Sequence, residues 1–315
     1  MYTQQVQGIR AQSREHLAAL LQQLAAQSKS DDVIKLVDRF IACFDDIPAY
    51  VGYKHIPTSA YQVCEQVKHD LGAGASRDFL YACILRAIVK TLDSEAFERL
   101  PVRVKGHQLK QFNRLLVNAS SVTQSSEIGN DLFHKEFGLA SLRLYAAACN
   151  AVDYNSGIER ALLFKGGWME TSYRLAIFIK MGGFKPFFQL HTHLSYLDEY
   201  NEEGRKECYR CCVDLYASHP RVLGMFAGSW LYDPALPQIS PRLAYLREIA
   251  QKGGAYVLFN SINEQSTQDA ISKSPTRKKL YLEGAYQPKN YALIWPRASQ
   301  TLWAQSNNGP SPQLD

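Results

Sequence analysis

The spacing of apolar residues divides the chain into a helical first part and an alternating second part. Up to about residue 95, runs such as LAALLQQLAAQ and DDVIKLVDRFIACF repeat apolar residues at intervals of three and four, which is typical of amphipathic helices. Farther on, the run VRVKG over residues 102–106 predicts a short strand, and a polar connection follows it up to residue 130. The first part is therefore predicted to be mainly helical.

Several of these predicted helices carry capping residues at their ends. Ser30 or Asp31 precedes one helix and Ser76 precedes another, and such side chains accept hydrogen bonds from the first free backbone N–H groups. Gly72 follows a third helix, where a residue without a Cβ readily adopts the terminating conformation. We therefore predict helix boundaries at these positions.

From Asp131 onwards, predicted helices and strands alternate. A helix, a strand and a second helix that ends before Gly182 come first. Residues 184–261 then follow the order strand, helix, strand, helix, strand, which is typical of a largely parallel sheet with crossover helices. A short helix after the N-cap Ser274 and a last strand follow, and Pro296 restricts that strand to a sheet edge or marks its end.

These patterns predict an α/β fold, in which a helical N-terminal region precedes a mixed sheet with crossover helices in the C-terminal half. We place the helical region at residues 1–130, the α/β domain at residues 131–305 and a flexible tail at residues 306–315. The 315 residues are 46% hydrophobic and 21% charged, which is enough apolar material for a globular core.

Charge, hydropathy and cysteine usage narrow the class of protein. The net charge of +5 permits an anionic ligand without requiring nucleic acid. No run of ~18 apolar residues is present, so we expect no membrane-spanning segment and no membrane partner. The seven cysteines lie mostly in apolar surroundings, which indicates reduced thiols in a cytoplasmic protein. The apolar N-terminal helices also offer a surface for a homodimer.

Two predicted strands end in residues that can move protons. One ends with His191 and His193, and another leads into Ser229 and Tyr232. In open α/β sheets, ligands bind at the carboxyl ends of parallel strands, so we expect these side chains at one site. We predict that a histidine deprotonates a nucleophile, while Ser229 or Tyr232 protonates the leaving group or stabilises an oxyanion.

The His-x-His spacing leaves two other interpretations open. Residues two apart on a strand face the same side, so His191 and His193 can also bind one iron or zinc ion together. The third ligand would then come from an acidic residue that follows, or from an earlier helix: Asp198, Glu199, Glu202, or Glu136 with His134. In the purely structural interpretation, one histidine caps the strand end.

A predicted helix start near the C-terminus is unusually basic. Arg277 and Lys278 lie in its first turn, where the helix dipole disfavours cations, so an anionic group of a substrate would relieve the repulsion. Arg242 lies similarly at the start of an earlier predicted helix. We predict that Arg242, Arg277 and Lys278 bind substrate, together with Trp230 at the mouth of the second strand.

The two strand ends together resemble the C-terminal half of GNAT-like acyltransferase domains. The likeness covers roughly residues 150–300 and consists of a strand ending in His-x-His and a later SWLYDP-x-L sequence. The residues that carry it are His191, His193, Ser229, Trp230, Leu231, Asp233, Pro234 and Leu236. The resemblance implies a GNAT-like mixed sheet that holds the pantetheine of an acyl donor between the strands ending at His193 and at Ser229. Residues 239–297 also resemble a group of bacterial proteins of unassigned activity.

The resemblance to GNAT-like domains also implies a function and its partners. The protein would transfer an acyl group from a thioester or similarly activated donor to an amine or hydroxyl of a small-molecule substrate. GNAT domains carry a glycine-rich, basic pyrophosphate loop, whereas the loop LSYLDEYNEEG in this chain is acidic. We therefore keep acyl-CoA, an acyl-carrier-bound donor and an aminoacyl-tRNA as alternative donors. A non-catalytic binding protein that retains the fold is the remaining alternative.

Overall fold

The computed structural model describes residues 2–27, 33–117 and 127–307. The predicted caps Ser30 and Asp31 and most of the predicted tail lie outside these ranges. The described chain forms two compact units: the first takes the residues up to Ala147 together with Ala151–Asn155, and the second takes Ala148–Asn150 and the residues from Ser156 to Asn307. The domain division predicted at residue 130 stays a prediction.

The first unit consists mainly of helices. They are α1 (Tyr2–Gln27), α2 (Val33–Ala42), α3 (Thr58–Leu71), α4 (Ser76–Leu92), α5 (Glu95–Glu98), α6 (Val102–Val117) and α7 (Asp131–Ala140), followed by the strands β1 (Leu144–Ala147) and β2 (Asn150–Ser156). Helices α1, α2 and α7 pack against α4. Phe79, Ile84 and Ile88 of α4 have no exposed surface, and burying each such side chain contributes about 1.5–3 kcal/mol to folding. The prediction of a helical first part is confirmed.

The predicted strand VRVKG is wrong. These residues form the first turns of α6. Leu109, Phe112 and Leu116 continue a three- and four-residue apolar spacing beyond the run, and all three are buried. The helical spacing of the longer segment therefore outweighs the strand-like alternation of its first few residues.

One of the predicted helix caps is confirmed and another is wrong. Gly72 ends α3, with its backbone N–H donating to the carbonyl oxygen of Lys68. Ser76, however, is the first residue of α4, and Ala75 takes the cap position. A 3-10 turn over Ala73–Ala75 runs directly into the helix, so there is no extended residue from which a serine side chain could cap it.

The second unit shows the predicted alternation of helices and strands. Its elements are α8 (Trp168–Met181), β3 (Phe187–Thr192), α9 (Glu202–Leu215), β4 (Gly224–Ser229), α10 (Leu236–Ile239), α11 (Tyr245–Lys252), β5 (Tyr256–Ser261), α12 (Glu264–Ser272), α13 (Pro275–Leu282), β6 (Asn290–Pro296) and α14 (Arg297–Ser306). Gly182 ends α8 in the left-handed conformation, and the hydroxyl of Ser274 accepts a hydrogen bond from the backbone N–H of Arg277. Both predicted caps are confirmed.

The strands of the second unit form a mixed sheet in the order β3-β4-β6-β5. Strands β3 and β4 are parallel, whereas β6 is antiparallel to both β4 and β5. The predicted α/β fold with a mixed sheet is therefore confirmed. The largely parallel arrangement is wrong, because β6 returns between β4 and β5. Pro296 marks the end of β6, where its missing N–H interrupts no further pairing.

The two faces of this sheet contact different helices. On one face, Phe187 and Phe226 lie in a hydrophobic core with Phe178 of α8. On the other face, the ring of Phe188 stacks on Tyr216 at the end of α9, with ring centroids 5.2 Å apart. We call these the α8 face and the α9 face. Side chains alternate along a strand, so every second residue of β3 and β4 counted from Phe187 and Phe226 lies on the α8 face. The residues between them lie on the α9 face.

The structure also shows the surroundings of the cysteine thiols and the length and polarity of the helices. Six of the seven cysteines are buried and all seven are free thiols, as their apolar surroundings predict. Within the three described ranges, every helix is too short or too polar to traverse a lipid bilayer.

Candidate functional site

Strands β3 and β4 pair at their beginnings and separate towards their ends. The register joins Phe188 to Met225 and Gln189 to Phe226. Both strands continue for three residues, Leu190–Thr192 and Ala227–Ser229, over which the described residues show no pairing between them. We call this opening the β3–β4 fork. Backbone N–H and C=O groups that face it are available to another partner.

His191 and Ser229 lie at the fork on opposite faces of the sheet. His191 follows Phe187 by four positions, so alternation puts it on the α8 face, where it is half-buried. Ser229 follows Phe226 by three positions and therefore lies on the α9 face. The structure thus places these two predicted catalytic residues at the same end of the sheet without bringing their side chains to the same side.

His193 caps the turn that follows β3. Its ring is 1% exposed, and its Nδ1 accepts a hydrogen bond from the backbone N–H of Ser195 at 3.0 Å. A neutral imidazole that accepts at Nδ1 carries its proton on Nε2. His193 would have to lose this capping bond before Nδ1 could take a proton from a substrate. The capping role that the purely structural interpretation gives to one histidine is therefore found at His193.

Ser229 and Tyr232 hold the turn that follows β4. The Ser229 hydroxyl accepts a hydrogen bond from the backbone N–H of Leu231 at 3.1 Å, which leaves its own proton free to donate. Tyr232 is 2% exposed, and its hydroxyl accepts a hydrogen bond from the guanidinium of Arg205. Burial raises the pKa of Tyr232, although the Arg205 charge opposes this, so the phenol stays protonated at neutral pH.

Arg205 is a functional candidate that the sequence reading missed. This buried guanidinium donates to the hydroxyl of Tyr209 at 2.9 Å, to Oδ1 of Asn150 at 2.5 Å and to Tyr232. Among the described residues of the second unit, no carboxylate pairs with it. The positive charge of Arg205 is therefore hydrogen-bonded to neutral oxygens. Through Tyr232, it holds the turn after β4 against the first turn of α9.

The spacing along α9 could have indicated the burial of Arg205. Cys208, Tyr209 and Cys212 follow it by three, four and seven positions, which is the spacing of one helix face. All three are buried, as Arg205 is. The position of Arg205 on the same helix face as these apolar residues is therefore the sequence feature that predicts its burial.

The predicted substrate-binding residues Arg277 and Trp230 lie together. The Arg277 guanidinium lies 4.8 Å from the centre of the Trp230 ring, and its Nη1 donates to the hydroxyl of Ser240 at 3.0 Å. Arg277 is 5% exposed, and burial lowers its pKa, with the nearby charge of Arg242 acting in the same direction. Arg242 and Lys278 are exposed. The basic helix start is thus partly a buried support for the tryptophan that follows β4.

Asp233 locks the turn after β4 to the start of β6. Its Oδ1 accepts from the backbone N–H of Ala235 at 3.0 Å, and its Oδ2 accepts from the backbone N–H of Lys289 at 3.1 Å. The residue is 3% exposed. Both oxygens of the carboxylate are therefore engaged in holding the loop, which is the structural role that an Asp-Pro turn predicts.

The first turn of α9 is acidic. Asn201 caps the helix, and Glu202 and Glu203 follow it. Lys206 pairs with both glutamates, at 2.8 Å and 2.9 Å. These carboxylates suit the positive end of the helix dipole, and they make this helix start a poor place for a pyrophosphate. The acidic loop seen in the sequence is therefore acidic in its folded surroundings as well.

The histidine pair gains no metal ligand from its surroundings. Over the part of the chain that the structure describes, neither His191 nor His193 belongs to a group of three or more His, Cys, Asp or Glu side chains close enough to hold one ion. No observation at the fork therefore favours the iron or zinc alternative.

Comparisons with known proteins add one likeness. No family model matches the chain, and no curated protein matches it. Among solved structures, an acyltransferase in complex with decanoyl-CoA is similar over 92% of this chain and 98% of its own length, with 12% sequence identity and a TM-score of 0.43. At that score and identity, the likeness carries no inference about this chain.

Proposed function

We propose that this protein transfers an acyl group from an acyl-CoA or an acyl-carrier thioester to an amine or hydroxyl of a small molecule. The observation that carries this proposal is the β3–β4 fork, where two parallel strands stop pairing after Gln189 and Phe226 while both continue. Ligands of open α/β sheets bind at the carboxyl ends of the strands, and this fork lies at such an end.

The chemistry of the donor fits the opening. The pantetheine arm of such donors is an extended chain with amide groups, which can pair with strand edges as an added strand does. Strand β4 is fully paired with β6 on its other side, so the side facing β3 is where its backbone groups remain available. A thioester bound there would bring its carbonyl carbon close to the end of β3.

His191 is the residue that we propose as the general base. It would accept the proton of the attacking amine or hydroxyl, whose oxygen or nitrogen then forms a bond to the thioester carbonyl carbon. The C–S bond breaks, and the leaving thiolate would take up the proton that His191 had accepted, which returns the imidazole to its neutral form. A backbone N–H at the open edge of β4 would stabilise the oxyanion. The hydroxyl of Ser229, on the α9 face, would donate a second hydrogen bond to the oxyanion.

Between the alternative donors, the electrostatics of the fork favour a thioester whose phosphates lie away from α9. Glu202 and Glu203 repel an anion at that helix start. Arg242, with Arg277 behind Trp230, provides positive charge on the β4 side instead. We therefore propose that the anionic part of the donor or the acceptor binds beside Trp230, and that an aminoacyl-tRNA is the least fitting donor.

The test combines thioester binding with turnover. Purified protein is titrated with CoA thioesters of short and long acyl chains by calorimetry, and free thiol release is followed in the presence of amine acceptors. We expect His191→Ala to lower kcat/KM by about a hundredfold or more while the affinity for the thioester is retained.

The matched control is His69→Ala, which removes a histidine whose side chain is 88% exposed on α3. It should leave both binding and turnover unchanged. Absence of thioester binding by the unaltered protein, or equal turnover in His191→Ala and His69→Ala, would refute the proposal.

A further inference from the structure

The outer side of α8 exposes large apolar side chains. Helix α8 has 14 residues, which corresponds to a length of about 21 Å. The exposed apolar residues of the helix and of the turn before it are Phe164 (71% exposed), Trp168 (81%), Met169 (70%), Tyr173 (57%), Leu175 (44%) and Ile179 (71%). We call this surface the α8 outer face.

The hydrophobic core accounts for only one side of α8. Ile177 and Phe178 point into the core of the second unit, where they are 4% and 1% exposed. Leu175 and Ile179 follow Trp168 by seven and eleven positions, which is the spacing of one stripe along a helix. These three side chains therefore form a second apolar stripe on the side of α8 away from the core. A helix with two apolar sides has a second surface to bury, and within the described chain nothing covers it.

The rim of the α8 outer face is basic. Arg160, Lys165 and Lys180 make no ion pair with a carboxylate among the described residues. Glu170, the acidic residue within α8, is already paired with the buried guanidinium of Arg174 at 2.6 Å. Residues 159–181 carry four cations and two carboxylates, one of them the exposed Glu159, so the surroundings of the apolar surface have a net charge of +2.

We propose that the α8 outer face docks on an anionic lipid surface. Tryptophan, tyrosine and phenylalanine favour the boundary between headgroups and acyl chains, and lysines beside them contact anionic headgroups. A second copy of the chain is the weaker occupant, because a symmetric dimer through this face would place the same cations near one another. The docking is peripheral, since no described helix can span a bilayer, and it departs from the sequence-based expectation of no membrane partner.

The first experiment measures binding of the full chain to vesicles. Co-sedimentation compares vesicles of phosphatidylcholine alone with vesicles of phosphatidylcholine mixed with phosphatidylserine. We expect binding to the anionic vesicles that weakens as salt is added, because screening reduces the attraction between lysines and headgroups. Failure to sediment with anionic vesicles at low salt would overturn the proposal.

Variants separate the apolar contribution from the charge. Trp168→Ser should weaken the partition onto anionic vesicles by about tenfold. Lys165→Glu should weaken it by at least about fivefold, because a favourable charge is removed and replaced by a repelled one. The matched controls are Leu302→Ser and Lys273→Glu, which alter exposed residues on α14 and after α12. Equal binding by the variants and their controls would contradict this surface.

Fluorescence locates the contact independently of affinity. Brominated lipids quench tryptophans that enter the interface, and Trp168 is the tryptophan on the α8 outer face. Trp168→Phe should keep vesicle binding, because an aromatic ring remains, but should lose most of the quenching. Quenching that persists in this variant would place the contact elsewhere. A dimer in solution that Trp168→Ser dissociates would assign the face to a second copy and overturn the lipid proposal.

Discussion

The two edges of β4 are treated differently by the fold. Towards β6, the strand is paired from Gly224 to Ser229 without interruption, whereas towards β3 the pairing stops after Phe226. One strand therefore has a closed edge, where every position has a partner strand, and an open one at the fork. The difference shows that the opening is not a general weakness of β4 but a local separation of β3 from it.

Arg205 links the turn after β4 to the first turn of α9, and losing this residue is expected to have the largest effect. Arg205→Ala removes three hydrogen bonds to buried groups and leaves a cavity, so we expect a loss of about 4 kcal/mol in the free energy of unfolding. Urea unfolding measures it. Arg99→Ala, just after α5, is the control and should lose less than about 1 kcal/mol, because its side chain is 73% exposed and its ion pair with Glu95 lies at the surface. Equal losses of stability in the two variants would show that the three buried hydrogen bonds of Arg205 do not stabilise the fold.

Two glycines of β4 compare the packing at the beginning and at the end of its closed edge. A Cβ at Gly224 would lie 2.3 Å from the backbone oxygen of Trp295, so Gly224→Ala must force the closed edge apart and should cost about 3 kcal/mol in stability. A Cβ at Gly228 would have Asn290 Oδ1 as its nearest atom, at 3.8 Å. Gly228→Ala should therefore change the urea midpoint little. The comparison fails if both substitutions destabilise the protein equally.

The point where the fork begins should respond to pH. The ring of His219 lies edge-on against Phe188, with centroids 5.6 Å apart, and burial lowers the pKa of His219. The unfolded chain therefore binds this proton more tightly than the folded one. Stability should be intact above the ordinary histidine pKa of about 6.5 and should fall as the pH drops below it towards the lowered value.

The measurement for this prediction is the urea midpoint as a function of pH. His219→Gln should reduce the loss of stability on acidification, because the buried imidazole that resists protonation is gone. His69→Gln, which alters an exposed histidine, should keep the slope of the unaltered protein. A slope that is the same in all three proteins would show that His219 does not contribute.

The smallest effect is expected from the acidic start of α9. Glu202→Gln combined with Glu203→Gln breaks two ion pairs with Lys206, at least partly exposed, and should change stability by less than about 0.5 kcal/mol. The same change should alter the affinity for a CoA thioester by less than about twofold even at low salt, because the proposed binding mode keeps its phosphates away from α9. Calorimetry at low and high salt checks this, and a larger gain in affinity at low salt would place the phosphates beside α9, against the proposed binding mode.

Much of the local structure could be predicted from the sequence, and particular residues show where the prediction fails. The apolar spacing predicts α1, α8 and α9, and Ser274 and Gly182 are correct caps because capping depends on neighbouring residues alone. VRVKG is wrong because five residues are too few to separate a strand from a helix that continues beyond them.

The candidate site could be foreseen in part. Its position at the ends of β3 and β4 follows from the order of the elements, whereas the faces of His191 and Ser229 depend on how each strand is turned towards α8 or α9. The capping role of His193 depends on the loop conformation after β3. Arg205 was missed because its partners Asn150 and Tyr232 are 55 and 27 residues away along the chain.

By itself, the sequence determined most of the longer helices and strands and several of their ends, because these depend on hydrogen bonds and side-chain spacing over a few residues. Only the tertiary structure decided that β6 enters between β4 and β5, that β3 parts from β4, and that α8 leaves an apolar side outside. Each of these depends on contacts between residues far apart along the chain, whose free energies are set by packing and pairing that no short pattern records.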